Sequence, residues 1–189
     1  MHPRPATPAD VPALQRLIAD SARRLSAGFY TPAQVESLVR HVFGVDTQLV
    51  ADGTYFVIDA PDGSPAAAGG WSRRRTLYGG DQMKGVEDPM LDPAREPARI
   101  RAFFVHPDQA RRGLARRLYD RCARAAWDAG FRELELMATL PGEPFYASLG
   151  FTVVERVTIV LPDGVEVEFA RMRRGIDEPA AEERDGHRM

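Results

Sequence analysis

Residues 108–118, "DQARRGLARRL", place four arginines and one glycine where a strand-like run turns into a helix. The first N–H groups of a helix are free and lie at the positive end of its dipole, and this combination binds phosphate. Gly113 lets a ligand approach the backbone closely, and arginines add charge-assisted hydrogen bonds. The segment is therefore typical of an anion-binding loop. A basic helix face in contact with solvent predicts the same residues, and the segment alone does not separate the two interpretations.

A second candidate for chemistry is Tyr146 in "PFYASLGF", a helical turn or two closed by Gly150. A phenol has an ordinary pKa of about 10, so it is protonated at neutral pH and can act as a general acid. The alternative is a half-buried packing residue whose hydroxyl bonds to the backbone.

The composition indicates one globular domain: 189 residues, 44% hydrophobic and 28% charged. The formal net charge of -2 differs from the basic excess of most nucleic-acid-binding domains. Cys122 is the only cysteine, which excludes an intrachain disulfide and a metal site built from thiols. The N-terminus lacks the apolar core of a signal peptide, and no run approaches about 18 apolar residues. We expect a cytoplasmic protein that binds no nucleic acid, membrane or metal.

Apolar periodicity and turn residues predict the order strand, two helices, three strands, helix, strand, short helix, two strands. Asp10 and Thr31 are expected N-caps, each followed closely by proline. Residues 76–97 have no sustained period and predict a long loop, which in a compact domain is usually functional or mobile. This order favours an α/β or α+β sheet with helices on its faces. We expect one domain over 1–174 and a disordered polar tail over 175–189.

Three segments in this order resemble the GNAT superfamily of N-acetyltransferases. Its phosphate loop reads Arg or Gln, two residues, Gly, one residue, then Gly or Ala; "ARRGLA" fits at Gly113 and Ala115 but has Ala110 at the first position. The preceding "FFVHPD" resembles the family's strand ending in Val-x-Pro, and "PFYASLGF" resembles its Tyr-x-x-x-Gly-Phe segment. Thr139 stands where the family often has Asn, seven residues before Tyr146. The resemblance is strongest over 99–151.

The resemblance implies a mixed, mostly antiparallel twisted sheet of about six to seven strands flanked by about four helices. It also implies acetyl-CoA as the donor and no metal. The pantetheine arm is expected to pair with the backbone of the 99–105 strand like an added strand, and the pyrophosphate to lie on the N–H groups of 111–115. The implied cofactor-binding residues are Phe103, Phe104, Val105, Arg111, Arg112, Gly113, Leu114, Ala115, Arg116, Thr139 and Tyr146.

The implied chemistry is direct transfer of the acetyl group to a primary amine. The Val105 N–H is the expected polariser of the oxyanion, and Tyr146 is the expected acid for the leaving thiolate. The alternative function is a non-catalytic acyl-CoA-binding module or sensor with the same fold. The acceptor is expected to be a small molecule or a peptide, and the protein a monomer or homodimer.

The sequence contains no clear general base. Glu133 and Glu135 share one strand face by period two, and a solvated sheet face explains them. His106 beside Pro107 is more typical of a structural histidine, and only its loop position recommends Asp81. We therefore expect the amine's proton to leave through water, or the amine to arrive neutral.

Residues near the start of the cofactor strand suggest an acceptor. Arg99 and Arg101 share a strand face that would border the acceptor cavity, and the preceding loop would bring Tyr78 and Asp81 to it. Arginine offers a rigid fork for a carboxylate or phosphate. These residues predict an amine that also carries an anionic group. The alternative is that the arginines pair with the glutamates of the next strand as a surface ladder.

Overall fold

The fold is one seven-stranded sheet, seen in a computed structural model that describes residues 2–85 and 87–178. The strand order is β1-β2-β3-β4-β5-β7-β6, and every neighbouring pair is antiparallel except β4 and β5, which are parallel. The strands are β1 Arg4–Pro5, β2 Tyr55–Asp59, β3 Pro65–Ser72, β4 Ala98–Val105, β5 Glu133–Thr139, β6 Thr152–Val160 and β7 Glu166–Gly175. The predicted fold class is confirmed.

Helices cover both faces of this sheet. They are α1 Val11–Leu25, α2 Pro32–His41, α3 Thr47–Ala51, α4 Leu114–Asp128 and α5 Glu143–Ser148. Alternation along β2 separates two cores: Phe56 and Ile58 join the core under α4, whereas Tyr55 and Val57 join the core under α1. The predicted element order is confirmed, with α3 added between α2 and β2.

The two predicted helix starts differ in how they are capped. Thr31 accepts a hydrogen bond from the Gln34 N–H at 3.2 Å, in a capping box with Pro32 at the first position. Asp10 stands at the N-cap position of α1, but its carboxylate accepts hydrogen bonds from Arg4 at 2.9 and 3.0 Å instead. The Asp10 carboxylate therefore binds Arg4 of β1 and does not cap α1.

An extra residue interrupts the pairing of β4 with β3. Phe104 pairs with Ala68 whereas Arg101 pairs with Gly70, so two residues of β4 lie opposite one residue of β3. Ala102 takes up this bulge with a φ of 53°, a left-handed conformation that is costly for any residue with a Cβ. Bulges of this kind turn a strand locally and change where its side chains point.

Two neighbours hold the bulge in place. The Tyr55 hydroxyl donates to the carbonyl of Ala102 at 3.1 Å. The Phe103 ring lies over Gly69, where an added Cβ would come within 2.3 Å of a ring carbon. Gly69 therefore permits the position of the Phe103 ring.

β4 and β5 separate soon after they begin. Only Ala98 with Leu134 and Arg99 with Glu135 pair across them. The remainder of β4 has no partner strand on that side among the described residues. A gap consequently opens between the carboxyl ends of two neighbouring parallel strands, where ligands commonly bind in α/β sheets.

The domain extends beyond its predicted end at residue 174. β7 continues to Gly175, and Ile176 is 8% exposed in the core under α4, with its N–H donating to the carbonyl of Arg132 at 2.9 Å. The predicted disordered tail thus begins too early, and residues 179–189 lie outside the described residues.

Three further features bear on function. Among residues 2–85 and 87–178, no helix is long and apolar enough to cross a membrane. The same residues contain no group of three or more His, Cys, Asp or Glu arranged to hold a metal. Cys122 is buried, and burial raises the pKa of its thiol.

Candidate active site

A pocket of about 380 Å³ lies at the gap between β4 and β5. Its lining comes from both sheet faces: the second half of β4, the start of α4, the end of β5, α5, the end of α1, the residues just after α2, the loop after β3, and Phe169 of β7. The predicted residues in the lining are Tyr78, Phe103, Phe104, Val105, Arg111, Gly113, Leu114, Ala115, Arg116, Thr139 and Tyr146.

The backbone of Val105 faces the gap. Phe104 pairs with Ala68, and the N–H of His106 donates to the carbonyl of Ala66 at 2.8 Å. Alternate residues of an antiparallel strand bond to a given neighbour, so Phe104 and His106 bond towards β3 and Val105 points the other way. The N–H and carbonyl of Val105 are therefore available to an extended ligand in the gap.

The start of α4 opens into the same pocket. Gly113 has a φ of 77° and no side chain to cap the helix, and the N–H of Arg117 makes the first intrahelical hydrogen bond, to Gly113. The N–H groups of 114–116 precede that bond, and their residues line the pocket. Arg111 is also left-handed, with a φ of 63°. This loop presents backbone donors and positive charge to an anion.

The predicted arginines separate into two groups. Arg111 and Arg116 line the pocket, although Arg116 also pairs with Asp120 at 2.9 Å on the surface. Arg112 donates to the side-chain oxygen of Gln109 and lies outside the lining. The contact of Arg112 with a cofactor therefore stays a prediction, and the position of this side chain does not support it.

Tyr146 stands on α5, across the gap from β4. Its ring centre lies 6.3 Å from that of Phe103, 5.1 Å from that of Phe145 and 5.8 Å from that of Phe151. Burial among these rings raises the pKa of Tyr146, because the phenolate would lose its hydration. The hydroxyl is thus held in its protonated, donating form.

Thr139 forms the turn between β5 and α5. The N–H of Gly142 donates to both the carbonyl of Thr139, at 3.0 Å, and its Oγ1, at 3.3 Å. A Cβ on Gly142 would lie 3.1 Å from that oxygen. Thr139 therefore sets the approach of α5 to the pocket as well as lining it.

Arg99 lies outside the pocket lining, in an ion cluster. It pairs with Glu135, its register partner on β5, which is 3% exposed and also accepts from Arg171 at 3.4 Å and Arg173 at 3.2 Å. Burial lowers the pKa of Arg99, but an arginine stays charged at any ordinary pH. The structure therefore shows the alternative weighed from the sequence, in which Arg99 pairs with a glutamate of the next strand. The pair is part-buried rather than on the surface, because Glu135 is buried and Arg99 is mostly covered.

Arg101 is a buried structural ion and also lies outside the lining. It is 2% exposed, and it donates to Asp46 Oδ2 at 2.9 Å, to the carbonyl of Thr76 at 2.8 Å and to that of Gly79 at 2.7 Å. Burial lowers its pKa, and Asp46 opposes that effect. Neither sequence interpretation named Asp46. The expected contact of Arg101 with an acceptor has no support, because both terminal nitrogens of its guanidinium bind Asp46 and the two carbonyls, and the residue lies outside the lining.

The two loop residues predicted to contact the acceptor have different positions. Asp81 lies outside the lining; its carboxylate accepts from the N–H of Thr47 at 3.0 Å and lies 3.6 Å from Lys84 Nζ. Tyr78 lines the pocket, its ring 6.1 Å from the Phe169 ring and tilted by 28°. Burial raises the pKa of Tyr78.

The residues weighed as general bases are engaged elsewhere. Glu135 lies in the ion cluster, Glu133 is 3.9 Å from Arg173, and His106 Nδ1 accepts from the N–H of Asp108 at 3.3 Å. None of them is in the pocket lining.

Sequence reasoning missed the apolar part of the pocket. Val42, Phe43, Met137 and Phe169 line it beside Tyr78. The apolar stripe of α2, with Val35 and Leu38, continues to Val42 just after the helix, and this spacing is typical of a buried helix face. Nothing in the sequence shows that the core reached by this stripe also borders a pocket.

Comparisons with known proteins agree with this geometry. Residues 85–167 match the model of the acetyltransferase (GNAT) domain family. No curated protein matches the chain in sequence. A solved GCN5-related N-acetyltransferase from Rhodopseudomonas palustris is 19% identical with a TM-score of 0.67, over 92% of this chain and 94% of that one.

Two other solved structures are similar over nearly their whole length. The PaiA N-acetyltransferase of Thermoplasma acidophilum, in complex with coenzyme A, is 13% identical with a TM-score of 0.61, over 93% of this chain and 98% of that one. Naa20 of Chaetomium thermophilum, in complex with a bisubstrate analogue, is 17% identical with a TM-score of 0.58, over 98% of this chain and 94% of that one. At these identities the likeness shows a shared fold.

Proposed function

We propose that this chain, whose residues 85–167 match the acetyltransferase (GNAT) domain family, transfers an acetyl group directly from acetyl-CoA to a primary amine. One observation carries the proposal: the gap between β4 and β5 brings the Val105 backbone, the start of α4 and Tyr146 to one pocket. A polariser, an anion site and an acid are the groups that acyl transfer from a thioester needs.

Backbone groups are the proposed holders of the cofactor. The Val105 edge of β4 suits an extended amide-containing arm, which would add to the sheet as a strand does. The N–H groups at the start of α4 suit a pyrophosphate, with Arg111 and Arg116 adding charge. Because main-chain donors do this work, Ala110 at the first position of the phosphate loop is no obstacle.

The residues of the chain have separate roles in the proposed reaction. Acetyl-CoA supplies a thioester whose carbonyl carbon bonds to the amine nitrogen as its bond to sulfur breaks. The Val105 N–H stabilises the negative charge that develops on the carbonyl oxygen. Tyr146 gives its proton to the departing sulfur and regains one from solvent, and water removes the extra proton of the amine.

An acceptor screen tests this function. The chain is incubated with acetyl-CoA and a library of primary amines, and CoA release is measured together with the intact mass of each product. We expect at least one amine to gain an acetyl group in step with CoA release. Binding of acetyl-CoA without any acetylated product would instead support the non-catalytic acyl-CoA-binding module.

A further inference from the structure

We infer that the acceptor amine carries an apolar group, and that this group lies in the part of the pocket formed by Val42, Phe43, Leu77, Tyr78, Met137 and Phe169, here called the apolar end. The inference rests on the proposed function, since it names the class of amine that the same pocket takes. It replaces the expectation of an anionic acceptor.

The apolar end is one surface of a third hydrophobic core, which is made of Tyr30, Val35, Leu38, Val42, Leu161, Val167 and Phe169. Val42 and Phe169 are 3% and 2% exposed in that core, and Phe43, Tyr78 and Met137 pack against it. Because packed apolar side chains stand behind these walls, a group placed there exchanges water for apolar contacts. A charged group in the same place would lose hydration without gaining a partner.

Hydrogen bonds from the buried Arg101 side chain, together with one backbone hydrogen bond, fix the outer wall of the apolar end. Arg101 holds the carbonyls of Thr76 and Gly79, on either side of Leu77 and Tyr78, at 2.8 and 2.7 Å. The next N–H, that of Gly80, donates to the carbonyl of Val42 at 2.9 Å. The wall therefore has a defined position rather than the freedom of an exposed loop, and it can discriminate between acceptors.

The charges that favoured an anionic acceptor are not available to it. The guanidinium of Arg101 binds Asp46 and two carbonyls, and Arg99 binds Glu135. The arginines that do line the pocket, Arg111 and Arg116, belong to the loop and helix start proposed for the pyrophosphate. At the mouth of the pocket, Leu25 adds an apolar lining side chain that is 38% exposed.

Three amino-acid amides test the inference, because they present α-amines of one kind with different side groups. Phenylalanine amide, alanine amide and aspartic acid α-amide are compared at one pH and saturating acetyl-CoA, by CoA release and product mass. We expect kcat/KM for phenylalanine amide to exceed that for alanine amide by about tenfold or more, with the aspartate compound slowest. Aspartic acid α-amide reacting as fast as phenylalanine amide would overturn the inference and leave the proposed function intact.

A variant locates the effect in the apolar end. Met137→Gln keeps the length of the side chain and adds a polar amide, so we expect the preference for phenylalanine amide over alanine amide to fall several-fold while the KM for acetyl-CoA is unchanged. Val154→Gln on β6, at a site 48% exposed and outside the pocket, is the matched control. An unchanged preference in Met137→Gln would overturn the inference. Failure of every amine to gain an acetyl group would instead defeat the proposed function.

Discussion

Tyr146 is the residue on which the proposed chemistry depends most. The Tyr146→Phe variant keeps the ring that packs against Phe103 and Phe151 but removes the proton donor. Because general acid catalysis is typically worth about 10²–10⁴-fold, we expect kcat to fall within that range while the affinity for acetyl-CoA stays nearly constant. Steady-state kinetics and calorimetry measure the two quantities.

Tyr119→Phe is the control for that variant. Tyr119 is buried, more fully than the partly buried Tyr146, and its ring centre lies 6.1 Å from that of Phe151, but it does not line the pocket. The Tyr119→Phe variant also loses a hydroxyl, but we expect its kcat to be unchanged. Equal losses of cofactor affinity and rate in Tyr146→Phe would indicate a packing role, and full activity would remove Tyr146 from the mechanism.

The dependence of rate on pH follows from the raised pKa of Tyr146. An acid works only while protonated, so its contribution is lost as pH rises through its pKa; burial places that pKa above the ordinary value of about 10. The amine becomes a nucleophile as it loses its proton. We therefore expect kcat/KM to rise with pH up to the pKa of the amine. We expect no decline in kcat/KM at any pH lower than about 10.

The profile is measured with one amine of known pKa, and the folded fraction is checked at each pH. A falling limb between about pH 7 and 9 that disappears in Tyr146→Phe would contradict the raised pKa.

For individual residues, the sequence motifs predicted the site better than the alternation of strand faces did. The resemblance located Val105, Gly113 and Tyr146, all of which line one pocket. The period of the strand correctly placed Arg99 and Arg101 on one face, but it does not reveal what covers that face. Asp46 lies 55 residues from Arg101 in the chain, and only the tertiary fold brings them together.

Among the elements, the loop after β3 depends on the buried Arg101–Asp46 pair. Arg101→Met removes the buried cation and releases the carbonyls beside Tyr78, while Asp46 keeps its ion pair with Lys84. Because Asp46 is not left uncompensated, we expect a loss of stability of about 3 kcal/mol, at the low end for a broken buried ion pair. We also expect a rise of several-fold in the KM for the acceptor, with the KM for acetyl-CoA nearly unchanged. Denaturant unfolding and kinetics with both substrates varied measure these effects.

Arg74→Met is the matched control, because Arg74 pairs with Asp52 at 2.7 Å and lies outside the pocket lining. It should lower stability without raising the KM for the acceptor. Restoring charge with Arg101→Lys should recover part of the stability and of the acceptor KM. Equal rises in both KM values in Arg101→Met would show that the pair supports the fold in general rather than this wall.

Two features of the fold, α3 and the bulge in β4, were not predicted from the sequence, and each has a physical reason. α3 has five residues, too few to show a helical period, and its cap Asp46 also serves Arg101. The β4 bulge falls at Ala102 within "ARIRAFFV", which reads as an uninterrupted strand because alanine gives no sign of a left-handed conformation. The resemblance implied only that a cofactor arm pairs with the backbone of the 99–105 strand, and the gap beside β4 was not itself predicted.

For the whole molecule, cofactor binding should stabilise the native state. A ligand that binds only the folded chain adds about 2.7 kcal/mol at a hundred times its dissociation constant. We expect saturating acetyl-CoA to raise the melting temperature, and Gly113→Val to abolish most of that rise. A Cβ at Gly113 meets nothing within 4 Å, so the variant acts through backbone conformation and ligand approach rather than an internal clash.

The Gly63→Val variant separates an effect on backbone conformation from an effect on the approach of the ligand. Gly63 has a φ of 82°, close to the 77° of Gly113, and an equally open Cβ position, but it lies in the turn between β2 and β3, outside the pocket. It should lower the melting temperature of the free protein while preserving the rise with acetyl-CoA. A full rise in Gly113→Val would mean that the phosphates bind elsewhere.

The parting of β4 and β5 also has a mechanical meaning. Among the described residues, strands β1–β4 and strands β5–β7 are two parts of the sheet that pair only near the start of β4, through Ala98 with Leu134 and Arg99 with Glu135. The core under α4 contains side chains from both parts. We therefore expect the angle between the two parts to change more easily than the pairing within either part. A cofactor that bonds to the free edge of β4 and contacts α5 would join the two parts, so we expect the sheet to be more rigid when the cofactor is bound.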